Sequence, residues 1–243
     1  MVDVCMTVND QVKDDCKFSI VIPVLNEAGI INTLIEHIYN LQFAEDYEII
    51  VVDGDPSRGT INNIHRKDVK VLVSGPRRGR QMNAGAADAR GEILVFLHAD
   101  TYLPDDALTL IRHALANRQY VAGAFDLGIR SKKLIFKIIA NTASLRSRFT
   151  RMPYGDQVIF IRKDYFQTIG GYRTIPLMED VDLFKRIKKR GDTICILPAR
   201  ALTSPRRWEN EGIISCTLRN WMLIILYQIG VSPEKLAHFY RHR

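Results

Sequence analysis

Three places in the 243-residue chain put acidic or amide side chains directly after apolar runs: Asn26-Glu27, Asp53-Gly54-Asp55 and His98-Ala99-Asp100. A fourth, Glu179-Asp180, opens a stretch with helical spacing. Carboxylates can hold a hard cation, accept hydrogen bonds from hydroxyl groups, or take a proton from one. Basic residues stand at Arg77, Arg78 and Arg80 beside Gln81, and at Arg206-Arg207 beside Trp208. Guanidinium groups pair with phosphate oxygens, and a tryptophan face suits a sugar ring. Each feature also has a plainer reading. An acid after a strand is often a cap or turn residue, Glu179-Asp180 adds only ~0.3–1 kcal/mol as charge at a helix start, and an arginine pair can be ordinary surface. Three consecutive strand ends are poorly explained as caps alone.

For these groups to meet, the runs before them must lie side by side. Phe18 to Pro23 is β-rich and stopped by proline, and Glu27 to Leu41 then sets Ile30, Ile31, Leu34, Ile35, Ile38 and Leu41 at helical spacing. Tyr47 to Asp53 and Val69 to Val73 read as two further strands. Gly79 to Arg90 is rich in helix formers, and Ile93 to Leu97 is continuous in the way of a strand buried on both faces. Pro104 suits the first turn of a helix through Ala116, and Val121 to Ile129 is another strand. An amphipathic segment follows from Lys132 to Arg148, then a strand at Val158 to Ile161, a helix from Glu179 to Lys189 and a strand at Thr193 to Leu197. Residues 212–229 and 233–240 read as closing helices. This alternation predicts an α/β fold with a mostly parallel central sheet flanked by helices, whose ligands bind at the carboxyl ends of the strands.

The length suits one domain over residues 18–210, with 1–17 as a loose extension and 211–243 as a helical extension packed on the domain. Residues 1–17 lack the apolar core of a signal peptide. A formal net charge of +7 asks for an anionic partner. The basic clusters carry no nucleic-acid-binding signature, which leaves a phosphorylated substrate or an acidic membrane surface. No apolar run approaches the ~20 residues needed to span a bilayer. Trp221 to Tyr227 reads as a buried helix, although it and the Lys132 to Phe149 stretch, rimmed by Lys and Arg, also have the make-up of helices that rest on a membrane. Cys5, Cys16, Cys195 and Cys216 have neither metal nor disulfide spacing, which fits a cytoplasmic protein, peripheral at the inner membrane face in the alternative reading.

The motifs Ile22-Pro23-Val24-Leu25-Asn26-Glu27, Val51-Val52-Asp53-Gly54, Asn83-Ala84-Gly85, Phe96-Leu97-His98-Ala99-Asp100, Gly155-Asp156-Gln157 and Met178-Glu179-Asp180 resemble, in their order and spacing, the family-2 glycosyltransferases of the GT-A fold. The resemblance covers about residues 18 to 207. It implies a nucleotide-sugar donor, by family habit a UDP-sugar, a hydroxyl acceptor, and Mg²⁺ or Mn²⁺. It implies that Pro23, Asn26 and Glu27 line the base and ribose pocket, that Asp53 hydrogen-bonds the base or ribose, and that Arg77, Arg80 and Gln81 approach the nucleotide. Where the family carries Asp-any-Asp, the first acid is His98 here. Asp100 is then the one carboxylate ligand, sharing the ion with the donor's diphosphate, and His98 either contacts the nucleotide or packs under the strand end. Asp180 is implied as the base, with Glu179 supporting it or touching the acceptor, and Asp156 as a donor or acceptor contact. Arg206-Arg207-Trp208 resembles a basic-aromatic signature that some processive polysaccharide synthases use near the diphosphate and acceptor.

Residues 78–85, 177–180 and 204–209 most resemble a small soluble subgroup associated with radical-SAM genes and named for arsenosugar biosynthesis, which implies a small-molecule acceptor. Together these features predict a metal-dependent inverting glycosyltransferase. Two alternatives stay open. One is a sugar-nucleotide nucleotidyltransferase, whose Gly-rich basic loop after the first strand is missing. The other is a non-catalytic nucleotide- or membrane-surface-binding protein with a degenerate site, to which His98 points.

Overall fold

The computed structural model describes residues 18–43 and 46–241; the extension expected at 1–17, with Cys5 and Cys16, lies outside the described residues. In chain order the elements are β1 (Phe18–Val24), α1 (Ile31–Tyr39), β2 (Tyr47–Asp53), β3 (Lys70–Val73), α2 (Arg78–Asp88), β4 (Ile93–Phe96), β5 (Thr101–Tyr102), α3 (Ala107–Ala116), β6 (Tyr120–Ile129), α4 (Leu134–Thr150), β7 (Ile159–Arg162), α5 (Lys163–Thr168), α6 (Glu179–Lys189), β8 (Thr193–Thr203), α7 (Arg206–Glu211), α8 (Ile213–Gln228) and α9 (Pro233–Arg241).

Among the described residues the strands form one sheet in the order β3-β2-β1-β4-β7-β6-β8-β5. The first four are parallel, β7 runs antiparallel to both its neighbours, β6 and β8 are parallel, and β5 closes the edge antiparallel to β8. The α/β expectation with a mostly parallel sheet is met. Alternate residues of each strand serve opposite faces. Ile20, Ile22, Val51 and Val95 pack with Leu34, Ile35, Leu108 and Ile111 from α1 and α3, whereas Val21, Val52, Leu94 and Phe96 pack with Met82, Leu183, Phe184 and Ile187 from α2 and α6. A Cβ on Gly85 would run into Val21, so the glycine of Asn83-Ala84-Gly85 lets α2 lie close against β1. Asn83 pins the loop after α5, donating from Nδ2 to the Tyr172 carbonyl at 2.7 Å and accepting from the Tyr172 N–H at 2.9 Å.

Several boundaries differ from expectation for local reasons. Residues 27–30 form a turn in which the Glu27 carbonyl accepts from the N–H groups of Ile30 and Ile31, so α1 begins late. β8 continues past Pro198 to Thr203 because its register against β6 shifts between Phe125 and Asp126, an irregularity that accommodates the proline. That extension matters for the site: Thr203 pairs with Thr101, and the Ser204 N–H donates to the Asp100 carbonyl at 3.1 Å, tying the end of β8 to the end of β4. The closing helices bury Leu223 and Leu236 in the core cluster that holds Leu183 and Phe184 of α6. Among the described residues no helix is long and apolar enough to cross a membrane.

Candidate active site

The register aligns Val24, Asp53 and Val73 at the carboxyl ends of β1, β2 and β3. A cleft with two adjoining lobes opens beside these ends, between the amino ends of α2 and α6. The outer lobe is lined by Pro23, Glu27, Arg77, Gln81, Arg206 and others; the inner by Tyr154, Asp156, Asp180, Trp208, Asn220 and others. Arg78, His98, Asp100, Glu179, Arg207 and Tyr240 line both. Thus twelve of the sequence-nominated residues, Pro23, Glu27, Arg77, Gln81, His98, Asp100, Asp156, Glu179, Asp180, Arg206, Arg207 and Trp208, meet in one cleft.

Three do not line it. Asp53 is fully buried, and its carboxylate is occupied by the loop that follows it. Oδ1 accepts from the Asp55 N–H at 2.9 Å and Oδ2 from the N–H groups of Thr60 and Ile61 at 3.0 and 3.2 Å. A loop turning back over a strand end needs acceptors for its N–H groups, and Asp53 supplies them, so it does not present its carboxylate to a base or ribose. Asn26 is exposed in a left-handed turn (φ 59°) outside the lobe walls, and Arg80 lies against Gly75. Gln81 lines the outer lobe, but its Nε2 is bound to the carbonyls of Val24 and Val52 at 2.7 and 2.8 Å, lacing β1 to β2.

Arg78 takes the place expected for Arg80. Arg78 and Gln81 are three apart and share a helix face, whereas Arg80 points elsewhere; that i, i+3 spacing was the available signal. Arg78 stands exposed at the rim, where desolvation by the cleft walls opposes its charge but Glu179, Tyr240, Asp180 and Asp100 favour it, and its affinity for its proton is raised overall. The first turn of α2 carries no acid, so Arg77, Arg78 and the free N–H groups of the helix start make the rim electropositive. Asn220 and Tyr240, from α8 and α9, also line the cleft; they come from far along the chain, and no local pattern marks them.

The inner lobe gathers carboxylates. Met178 adopts a left-handed conformation (φ 68°) that starts α6 abruptly, so Glu179 and Asp180 sit in its first turn. Burial raises the proton affinity of Asp180, partly offset by the Gly155 N–H, which donates to Oδ2 at 2.7 Å, and by the Val181 N–H, which donates to Oδ1 at 2.7 Å. Burial and then Asp180 raise that of Glu179, against Arg78. Asp156 is pushed up to about 6 by burial and by Asp180, with Arg146 opposing, and its Oδ1 has no hydrogen-bond partner. Arg146 is held over the Tyr154 ring at 3.5 Å. His98 is pushed down to about 3 by burial and by Arg78, so it is neutral. It packs on Gly155, where a Cβ would come within 2.7 Å of its ring, while still lining the cleft.

At the rim, Arg206 Nη2 reaches both oxygens of Glu27 at 3.2 and 3.3 Å, closing the outer lobe on one side. Arg207 lies 3.5 Å from Glu211 and over the Tyr240 ring at 4.3 Å. Trp208 does not offer the open stacking face expected of it. It is 9% exposed and packed edge-on to Phe136 at 6.1 Å, with only part of its surface on the inner lobe, and its buried Nε1 has no partner. At the end of β4, Asp100 has a distant contact from the Thr101 hydroxyl at 3.4 Å. Among the described residues no three His, Cys, Asp or Glu side chains converge as a ready-made metal cage.

A model of glycosyl transferase family 2 matches residues 19–172. The probable glycosyltransferase YdaM of Bacillus subtilis (strain 168) is 26% identical over 226 residues, covering 83% of this chain and 52% of YdaM. The poly(ribitol-phosphate) beta-glucosyltransferase of Bacillus spizizenii is 35% identical over 103 residues, 38% of this chain and 16% of that protein. The chain therefore spans about half the length of the first relative and far less of the second. Among solved structures, the mannosyltransferase PcManGT from Pyrobaculum calidifontis in complex with GDP-Man and Mn²⁺ superposes with a TM-score of 0.59 at 21% identity, over 77% of this chain and 56% of that one. S. aureus TarS 1-349 in complex with UDP-GlcNAc gives 0.58 at 16% identity, over 77% and 58%. These two likenesses speak for the GT-A fold. The family match covers more than half of the sequence, so the chain belongs to glycosyl transferase family 2.

Proposed function

We propose that the chain is an inverting glycosyltransferase that moves a sugar from a nucleotide-diphosphate donor to a hydroxyl acceptor, with Asp180 as the base. The observation that carries this reading is the pair Glu179-Asp180 at the amino end of α6, its proton affinity raised by burial, in a cleft shared with Arg78 and Asp100. A base works best when its pKa approaches the working pH, and a raised carboxylate moves in that direction. The acceptor hydroxyl donates to Asp180, and its oxygen attacks the anomeric carbon as the bond to the diphosphate oxygen breaks. The proton ends on Asp180, and a single displacement inverts the configuration. The Gly155 N–H holds Asp180 in place. Arg78, Arg207 and the start of α2 receive the departing charge.

A divalent cation would be held in one way: Asp100 would supply one carboxylate, no protein cage among the described residues completes the shell, and the remaining oxygens would come from the donor. Mg²⁺ or Mn²⁺ held so would neutralise charge on the leaving diphosphate. Support for donor and ion comes from the fold neighbours bound to GDP-Man with Mn²⁺ and to UDP-GlcNAc. The choice of a UDP-sugar and of a small-molecule acceptor rests on sequence resemblance. In this reading the nucleoside end enters the outer lobe that Pro23 and Glu27 line, with Asp53 shaping the loop beneath.

A thermal-shift panel of nucleoside diphosphates and nucleotide sugars, with and without Mn²⁺ or Mg²⁺, followed by donor turnover, tests this. One nucleotide stabilising the protein in a metal-dependent way, with turnover lost to chelator, is the expected result. Release of pyrophosphate from a nucleoside triphosphate and a sugar phosphate would replace it with the nucleotidyltransferase reading. Binding without turnover across many acceptors would favour the non-catalytic one.

A further inference from the structure

Helix α8 is apolar on two faces. Its inner side buries Cys216 and Leu223, while Ile214, Leu218, Trp221, Met222, Ile225 and Ile229 run along the opposite side and are all exposed, Ile214 and Ile229 by 73% and 72%. Their spacing of three, four and seven residues is that of a stripe a globular helix normally buries. Helix α4 repeats the pattern. Phe136 and Ala140 face inward, and Leu134, Ile138, Leu145 and Phe149 face outward, Phe149 by 81%. Both helices close over one small cluster, in which Phe136 and Ala140 meet Trp208 and Cys216. Two neighbouring helices thus leave their apolar stripes uncovered.

Charge identifies what covers them. Residues 127–155 contain no Asp or Glu; Lys133 and Arg148 pair with Glu209 and Asp126 from outside the stretch, and Lys132 and Lys137 at one end of α4 and Arg151 at the other stand exposed. Residues 212–233 are also free of acids, and their one base, Arg219, is paired with Glu211, so the exposed bases come from the α4 side. Two copies meeting through such faces would oppose like charges, whereas an apolar stripe with basic ends matches a bilayer that carries anionic headgroups. We propose that α4 and α8 form a face that docks on the surface of an anionic phospholipid bilayer, with the outward apolar side chains entering the headgroup–acyl boundary. Because α8 also lines the cleft with Asn220, Leu223 and Ile224, docking sets the cleft close to the lipid headgroups.

The chain has two tryptophans, Trp208, 9% exposed, and Trp221, 52% exposed, so fluorescence reports the face directly. The full chain is mixed with vesicles of phosphatidylcholine alone or with equal phosphatidylglycerol, and sedimentation and emission are followed. Expected are at least tenfold more protein on the anionic vesicles, weakened by salt, and a blue shift that disappears in Trp221→Phe while binding persists. Trp221→Glu with Ile225→Glu should cut vesicle binding at least tenfold, with melting temperature and donor turnover unchanged. Equal binding to both vesicles, or undiminished binding of the double variant, overturns the proposal. So does a dimer in analytical ultracentrifugation that the double variant dissociates, which would assign the face to a second copy.

Discussion

Asp53, buried beside the cleft, and Asp180, which lines it, are the same residue type, and the two halves of the molecule treat them oppositely. In the parallel half, Asp53 accepts three backbone N–H groups and Gln81 ties two strand carbonyls; these polar atoms are spent on holding loops and strands. In the other half, Asp180 takes two N–H groups but is crowded by Glu179 and Asp156, and the buried Asp156 Oδ1 has no partner. A fully satisfied carboxylate builds structure. One that burial and like charges push toward its protonated form is suited to proton transfer.

Exchanging each acid for its amide gives the widest separation between the halves. Asp180→Asn removes the proposed base and should lower turnover on the order of 10²–10⁴-fold, with the melting temperature near that of the wild type. Asp53→Asn keeps one acceptor oxygen and places an amide N–H₂ against backbone donors. Buried donors left unsatisfied cost about 1–3 kcal/mol each, so this variant should lose roughly 5 °C or more in melting temperature. Its residual folded fraction should keep turnover well above that of Asp180→Asn. Donor hydrolysis and calorimetry on the same two preparations decide it, and a reversed order would dissolve the contrast.

Gly155 joins the reactive half to the strand ends, since its N–H holds Asp180 and its Cα lies against His98. Gly155→Ala puts a methyl 2.7 Å from the His98 ring, so one of the two must move. A turnover loss of about 10–100-fold is expected, because overpacking costs ~1–3 kcal/mol and here displaces the group that orients the base. The further substitution His98→Ala makes room and should restore Asp180 placement, which a crystal structure of the double variant would report.

The acid limb of the pH–rate profile isolates the crowding itself. As the proposed base, Asp180 acts only when deprotonated, and burial raises its pKa, so the limb should lie above the ordinary aspartate range. Repulsion between Asp156 and Asp180 is mutual, and Asp156→Asn removes one charge, shifting the limb to lower pH. Stability moves consistently. A carboxylate raised to about 6 by folding carries its cost while charged, above that value, and is relieved as pH falls and the folded protein binds the proton first. Asp156→Asn should therefore be more stable than the wild type at pH 7, with the gain fading as pH falls through 6 toward the unfolded value near ~4.

The parallel half was legible because its signals are local. β4 is a continuous apolar run and β1 is apolar but for Ser19, both are buried on both faces, and the acids follow within four residues. The direction of each polar side chain was not. Asp53 turns inward because residues 55–61 fold back over it, and Arg78 rather than Arg80 faces the cleft because of where α2 begins. Trp208 packs on Phe136 from α4, a partner 72 residues away in sequence, and Tyr240 reaches the cleft from the last helix. Periodicity marks which residues are helical or apolar; it carries no account of which distant surface they meet.

Arg206 and Glu27 give the smallest effect and bear on where the two halves touch. The pair spans the outer lobe, joining the turn after β1 to the start of α7, yet Arg206 is exposed and exposed ion pairs are worth about 0–1 kcal/mol. Arg206→Ala should leave the melting temperature within about 2 °C of the wild type. Its loss frees Glu27 in the lobe assigned to the nucleoside, so the donor KM should change by a few-fold while kcat holds. If kcat falls as much as kcat/KM, the arginine acts on the departing diphosphate in the transition state, and the reactive region extends into the outer lobe.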